Sequence, residues 1–383
     1  MTDAAVLLDR TGLDAMIGAL GADRTVIGPV RRGDVIVPER IDGVDDFPRG
    51  WTEEREAATS GHRASGDGRH FAFCSPADSW RRWLFPPRTL LVTIRRPSGR
   101  GGELEVDEAP PAHRDLALFG IRACDLAALA ITDRVFAGGD HPDPHYVGAR
   151  DGAFIVAVGC SRSAPTCFCV SQGEGPRPGR GYDVLLTELP GPDGWDPEDV
   201  AVLAEARSPR GEHPPGEGAD RTGAPGAAEP DRRAAVAVTD GAAAAQHRRI
   251  DPGDLARLAL AEESHGWADV AERCLSCTNC TLVCPTCFCS TVEDSSDLAG
   301  TTAERWRRWD SCFADGHSYI HGGPVRATVA SRYRQWLLHK LVTWHDQFDS
   351  TGCTGCGRCI TWCPPGIDLT AEVARIASTV EGS

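Results

Sequence analysis

The chain has 383 residues, 41% hydrophobic and 25% charged, with a formal net charge of −15. That length allows two or three domains with real cores. The charge makes nucleic acid and anionic lipid poor partners, and no apolar run nears the roughly 18 residues of a transmembrane helix.

Asp3 and Asp9 stand where a secretion signal would carry basic residues and then an unbroken apolar stretch, so the expected compartment is the cytoplasm. Sixteen cysteines in such a chain point to metal rather than disulfides. Ten of them fall in two tight groups beyond residue 270, with Cys312 between the groups. Of 40 basic residues only Lys340 is a lysine, a bias read as genome composition rather than function.

In chain order, Thr89–Ile94, Leu116–Ile121 and Phe154–Val158 read as buried strands. Between the last two, CDLAALAITDRVF has Leu126, Leu129, Ala130 and Val135 at roughly helical spacing. Strand, helix, strand predicts an α/β domain with parallel pairing over residues 1–190. No G-x-G-x-x-G follows any strand, so this domain reads as a scaffold rather than a dinucleotide site. Residues 191–250 read as a linker. Within it, 207–235 is rich in Gly, Pro, Ala and charge, and reads as a flexible insertion because it has too little apolar surface to offset its ordering entropy.

Residues 251–383 read as mainly helical. Asp251 is a predicted N-cap, with Pro252 at the first helical position and a helix running to Ala261. Val325–Trp344 is the longest amphipathic candidate, with Val325, Val329, Tyr333, Trp336, Leu337, Leu341 and Trp344 on one face and arginines toward solvent or a partner. The fold class predicted is therefore α+β, an N-terminal α/β domain followed by a mainly helical domain.

The strongest motif is C-x2-C-x2-C-x3-C-P, present twice: Cys274, Cys277, Cys280 and Cys284, then Cys353, Cys356, Cys359 and Cys363. This is the bacterial ferredoxin run, in which the fourth cysteine ligates the other cluster. One [4Fe-4S] cluster then takes Cys274, Cys277, Cys280 and Cys363, and the other takes Cys353, Cys356, Cys359 and Cys284. Zinc is the alternative, but its sites pair C-x2-C units across a longer gap. About 68 residues separate the two motifs, which is compatible with a helical two-cluster domain or with a compact one carrying a large insertion.

A third candidate site lies in the first domain. Cys160, Cys167 and Cys169 follow the strand ending near Val158, and Cys124 follows the preceding strand. If those strands are parallel neighbours, both loops emerge at one carboxyl edge, and four thiols could hold a third [4Fe-4S] cluster, with Asp125 as an alternative ligand. The pentapeptide PTCFC occurs at Pro165–Cys169 and again at Pro285–Cys289. Cys287, Cys289 and Cys312 make three thiols without an evident fourth and read as packing around a cluster. Cys74 reads as a core thiol. His317, His321, His339 and His345 match no metal motif and read as satisfied or surface histidines.

With GIRACDLAAL, the CFC segment ending in GEGP, RCLSCTNCTLVCPTCFCSTVED, RWRRWDSCF and CTGCGRCITWCPPGID in view, the chain resembles the iron–sulfur β subunits of cytoplasmic NAD(P)-linked [NiFe] hydrogenases (sulfhydrogenases). The A subunit of anaerobic sulfite reductase is similar. The resemblance implies a non-catalytic electron carrier between a flavin/NAD(P)-binding subunit and a catalytic hydrogenase or sulfite reductase subunit. The chain has neither the C-x-x-C pairs of a nickel site at both ends nor a flavin or nucleotide fingerprint, as a connecting subunit would not. The 207–235 insertion departs from the family pattern.

Overall fold

The computed structural model describes residues 5–74, 76–96, 103–111, 115–196, 198, 200–212 and 226–380. Thirteen strands frame the sites. They are β1 (Ala5–Leu8), β2 (Thr25–Arg32), β3 (Val35–Arg40), β4 (Trp51–Glu56), β5 (Thr59–Ala64), β6 (Arg88–Arg95), β7 (Glu105–Glu108), β8 (Leu116–Ile121), β9 (Phe154–Val158), β10 (Val184–Glu188), β11 (Val202–Ala206), β12 (Ser290–Ser296) and β13 (Thr302–Trp309).

Seven of them form a sheet in the order β1-β11-β10-β9-β8-β2-β3. Its centre is parallel, with Thr25 beside Leu116, Ala117 beside Phe154 and Val184 beside Val156. The pairings of β1 with β11, β11 with β10 and β2 with β3 are antiparallel. Every residue of β8, β9 and β10 is buried, as parallel strands covered on both faces require. Successive side chains alternate between two cores. Ala117, Phe119, Phe154 and Val156 pack with Leu13 and Ile17 on one face. Leu116, Leu118, Ile155 and Ala157 pack with Phe85, Leu126 and Tyr146 on the other. The predicted strand–helix–strand unit is present, its helix spanning Ala123–Phe136.

Three expectations are corrected. Thr89–Ile94 is not a buried strand of this sheet. It lies in β6, largely half-buried, in a separate antiparallel sheet ordered β12-β13-β6-β7. Its partner is β13, with Thr302 opposite Arg95 and Arg308 opposite Arg88. The β12–β13 hairpin lies between the two ferredoxin motifs, so the region beyond residue 251 is less purely helical than its sequence reads. Residues 191–250 are more than a linker: β11 joins the main sheet, and the helix Glu229–Ala244 buries Ala235 against Leu203. Residues 213–225 of the predicted flexible insertion lie outside the described residues, while its flanks at Pro209–Glu212 and from Glu229 are helical.

The helix Pro252–Leu260 forms as predicted, with the Asp251 carboxylate accepting from the Gly253 N–H at 2.8 Å. The long amphipathic candidate starts later, at Val329, because Thr328 caps it through the Ser331 N–H. It passes through a π-helical turn at His339–Thr343 before continuing to Phe348. Tyr333, Trp336, Leu337, Leu341 and Trp344 are buried as expected, but Val325 is exposed. Two cations predicted for solvent or for no role lie inside, Arg332 and Lys340. Among the described residues no helix is long and apolar enough to cross a membrane.

Candidate metal centres

The two cysteine motifs fold into the same loop. Ser276 and Thr278 in the first have φ of 49° and 68°, and Gly355 and Gly357, at the matching positions of the second, have 64° and 73°. These left-handed residues curl the chain so that thiols two residues apart face inward. A side chain there costs about 1–3 kcal/mol. In the second loop glycine has a further reason: a Cβ on Gly357 would sit 2.2 Å from the Thr166 carbonyl oxygen, and one on Gly355 2.6 Å from the Cys169 backbone.

The thiols gather in two sets. One cavity is lined by Cys274, Cys277, Cys280 and Cys363, the next by Cys284, Cys353 and Cys356, and Cys359, Trp336 and Leu369 form the wall they share. The electrostatic neighbours of Cys363 are Cys274 and Cys277, whereas those of Cys359 include Cys353, Cys356 and Cys284. The fourth cysteine of each motif thus crosses to the other loop. Among the described residues no group of three or more His, Cys, Asp or Glu side chains is disposed to hold a single metal ion. Thiols ringing a cavity instead suit a body larger than an ion. Burial pushes the Cys353 thiol up to about 12 and raises Cys280 and Cys359. A multi-iron group would supply the positive charge that such buried thiolates need.

The two sets differ in their surroundings. Cys280 is surrounded by other thiols. Cys284 receives Lys340, whose Nζ lies 3.5 Å from Sγ and 2.8 Å from Thr286 Oγ1. Cys356 has the buried Arg358 beside it, and that guanidinium also donates to the Pro76 carbonyl at 2.6 Å.

A third set forms at the carboxyl ends of β8 and β9, as the parallel pairing predicts. Cys124 lies in the first turn of the helix Ala123–Phe136 that follows β8, Cys160 on the loop after β9, and Cys167 and Cys169 on the segment that follows Cys160. Cys124, Cys167 and Cys169 are electrostatic neighbours, and Cys160 is a neighbour of Cys169. Burial raises Cys124 and Cys160 and pushes Cys169 up to about 12. Arg122, fully buried and donating to the Phe71 and Phe73 carbonyls at 2.7 Å, also reaches the Cys160 thiol. Asp125, the alternative ligand, has its carboxylate engaged by Arg358 at 2.9 Å. The first PTCFC segment docks on the second ferredoxin loop through Phe168 N–H to the Gly355 carbonyl at 2.8 Å.

A sequence profile of the 4Fe-4S dicluster domain matches residues 273–367, which include all eight motif cysteines. Over 293 residues, 76% of this chain and 82% of the relative, the chain is 33% identical to the sulfhydrogenase 2 subunit beta of Pyrococcus furiosus. The chain belongs to the sulfhydrogenase beta-subunit family. The likeness extends well beyond the dicluster segment, so it takes in part of the α/β sheet as well.

Within this family frame, three participants escaped sequence reasoning. Cys74 is buried as a core thiol, and it also neighbours Cys167 and donates to the Arg162 carbonyl at 3.8 Å. Gln246, from the segment read as linker, donates to Cys169 Sγ at 3.2 Å. Lys340, whose singularity reads as genome composition in the sequence, is buried beside Cys284. Its uniqueness and its place on the apolar face of the helix were the available signals.

Proposed function

We propose that this chain is the iron–sulfur electron relay of a cytoplasmic hydrogenase complex, passing electrons between a flavin/NAD(P)-binding subunit and a catalytic [NiFe] subunit. The observation that carries it is the pair of adjoining four-thiol cavities within a chain of the sulfhydrogenase beta-subunit family. Cys274, Cys277, Cys280 and Cys363 hold one [4Fe-4S] cluster, and Cys284, Cys353, Cys356 and Cys359 the other. Cys124, Cys160, Cys167 and Cys169 hold a third, with Cys74 packed against it as a structural thiol. When bound, the clusters supply one-electron oxidation and reduction.

The protein's own part is to exclude water and set charge. Trp336, Phe313, Tyr333 and Ile360 pack the dicluster core. Lys340 places positive charge beside Cys284, which favours the reduced form of that cluster over its neighbour, whereas the charge of Arg358 beside Cys356 is balanced by Asp125.

The test is elemental analysis of the complex captured anaerobically on a tagged copy of the full chain. Near-stoichiometric nickel, with hydrogen oxidation coupled to NAD(P) reduction, is expected. Iron without nickel from an intact complex overturns the hydrogenase reading, and sirohaem in that complex would make the chain a sulfite reductase subunit.

A further inference from the structure

The second PTCFC segment has no role in the two ferredoxin-type sites, yet its surroundings repeat those of the first. Cys167 and Cys169 of the first copy stand beside Cys124 and Cys160. In the second copy, Cys287 is buried and Cys289 half-buried; the Cys289 thiol meets Cys312, and Cys287, in contact with Cys284, has Cys312 as a further electrostatic neighbour. The β12–β13 ladder brings them together. Ser290 pairs with Trp309, and the Asp310 N–H donates to the Cys289 carbonyl at 2.9 Å, so the chain turns Cys312 back over Cys289.

Two tight turns then follow, closed by Ala314 N–H to the Ser311 carbonyl and His317 N–H to the Ala314 carbonyl. They return His317 to the same place, where it neighbours Cys289. Its Nδ1 is 2.7 Å from Asp310 Oδ2, the carboxylate–imidazole arrangement that leaves Nε2 free and oriented in metal-ligating histidines. Positive charge already surrounds the group. Arg81, buried and stacked on Trp309, donates to the Cys287 carbonyl, and the buried Lys340 neighbours Cys287 and Cys289.

We propose that Cys287, Cys289, Cys312 and His317 bind a further [4Fe-4S] cluster, with three thiolates and one imidazole as ligands. Cys284, whose thiol also contacts Cys287, stays with the second ferredoxin loop. The site is separate in its residues from the three sites above and stands or falls independently of them. An imidazole in place of a thiolate makes the cluster less negative and raises its potential, as histidine ligation does in Rieske centres.

The experiment uses the full chain, reconstituted anaerobically with ferrous iron and sulfide. Cys289→Ser/Cys312→Ser is expected to lose about four irons and four labile sulfides per chain, with the remaining cluster signals intact. His317→Cys, which preserves a ligand, is expected to keep that iron, lose a histidine nitrogen coupling in pulsed electron paramagnetic resonance, and lower the potential of one cluster. Unchanged iron and sulfide in the double variant overturn the proposal. So does a Cys289–Cys312 disulfide, or zinc in place of iron, in the reconstituted unsubstituted chain. Cys277→Ser serves as a separate control, because its loss of iron reports on the ferredoxin-type sites alone.

Discussion

Arg358 and Asp125, far apart in sequence, form a 2.9 Å ion pair in which neither side chain is more than 2% exposed. The arginine lies between two motif cysteines, Cys356 and Cys359, and the aspartate follows Cys124. The pair therefore locks the second ferredoxin loop to the carboxyl edge of the parallel sheet.

Breaking a buried pair by removing one partner strands a charge, at a cost of about 3–5 kcal/mol. Asp125→Asn and Arg358→Gln should each lower the apparent unfolding temperature by several degrees, and the double variant by less than the sum of the two. The electrochemical effects should be opposite. Asp125→Asn leaves Arg358 uncompensated beside Cys356 and raises the potential of the cluster it ligates, while Arg358→Gln lowers it. Shifts in the same direction in an anaerobic redox titration would refute the electrostatic account.

Lys340→Met should lower the potential of the cluster proposed on Cys284, Cys353, Cys356 and Cys359 by on the order of 60–120 mV, one to two factors of ten in a one-electron equilibrium. The Cys274 set, whose thiols face one another rather than a cation, should move much less. Lys340→Arg should restore most of the shift. Equal shifts in both clusters would show a general structural effect instead.

The two matched loops make opposite predictions for opposite substitutions. Gly357→Ala drives a Cβ into the Thr166 carbonyl and adds left-handed strain, so it should destabilise the protein by about 2–5 kcal/mol. Thr278→Gly at the matching position removes strain of about 1–3 kcal/mol and should be neutral or stabilising. Unfolding of the two iron-loaded variants, compared under one condition, checks this.

Iron removal should act locally. Cys274, Cys280, Cys353, Cys359 and Cys363 pack against the dicluster core, whereas the parallel sheet has cores of its own. Chelation is expected to strip hydrogen-exchange protection from the helices Gly266–Arg273 and Leu369–Ala377 while β8, β9 and β10 keep theirs. Equal loss in both places would show that the sheet depends on the metal.

What could be read from the sequence alone was local. The two cysteine runs are legible because their motif cysteines stand only three or four positions apart. The Asp251 cap lies within one turn, and β8 and β9 announce themselves by continuous apolar runs. Their parallel pairing, read from strand–helix–strand order, correctly put Cys124 and Cys160 at one edge.

Tertiary structure decided the rest. Thr89–Ile94 has the composition of a buried strand, and only its pairing with β13, some 200 residues later, makes it half-buried. Cys74 looks alone because its neighbour Cys167 arrives across the fold. Lys340 sits at an apolar position of its helix, and its burial makes sense only beside Cys284 and Thr286. Each of these rests on contacts between distant segments that leave no periodicity or spacing behind. Local propensity determines which elements form, and the closure of long-range ladders and buried ion pairs determines which chemistry they bring together.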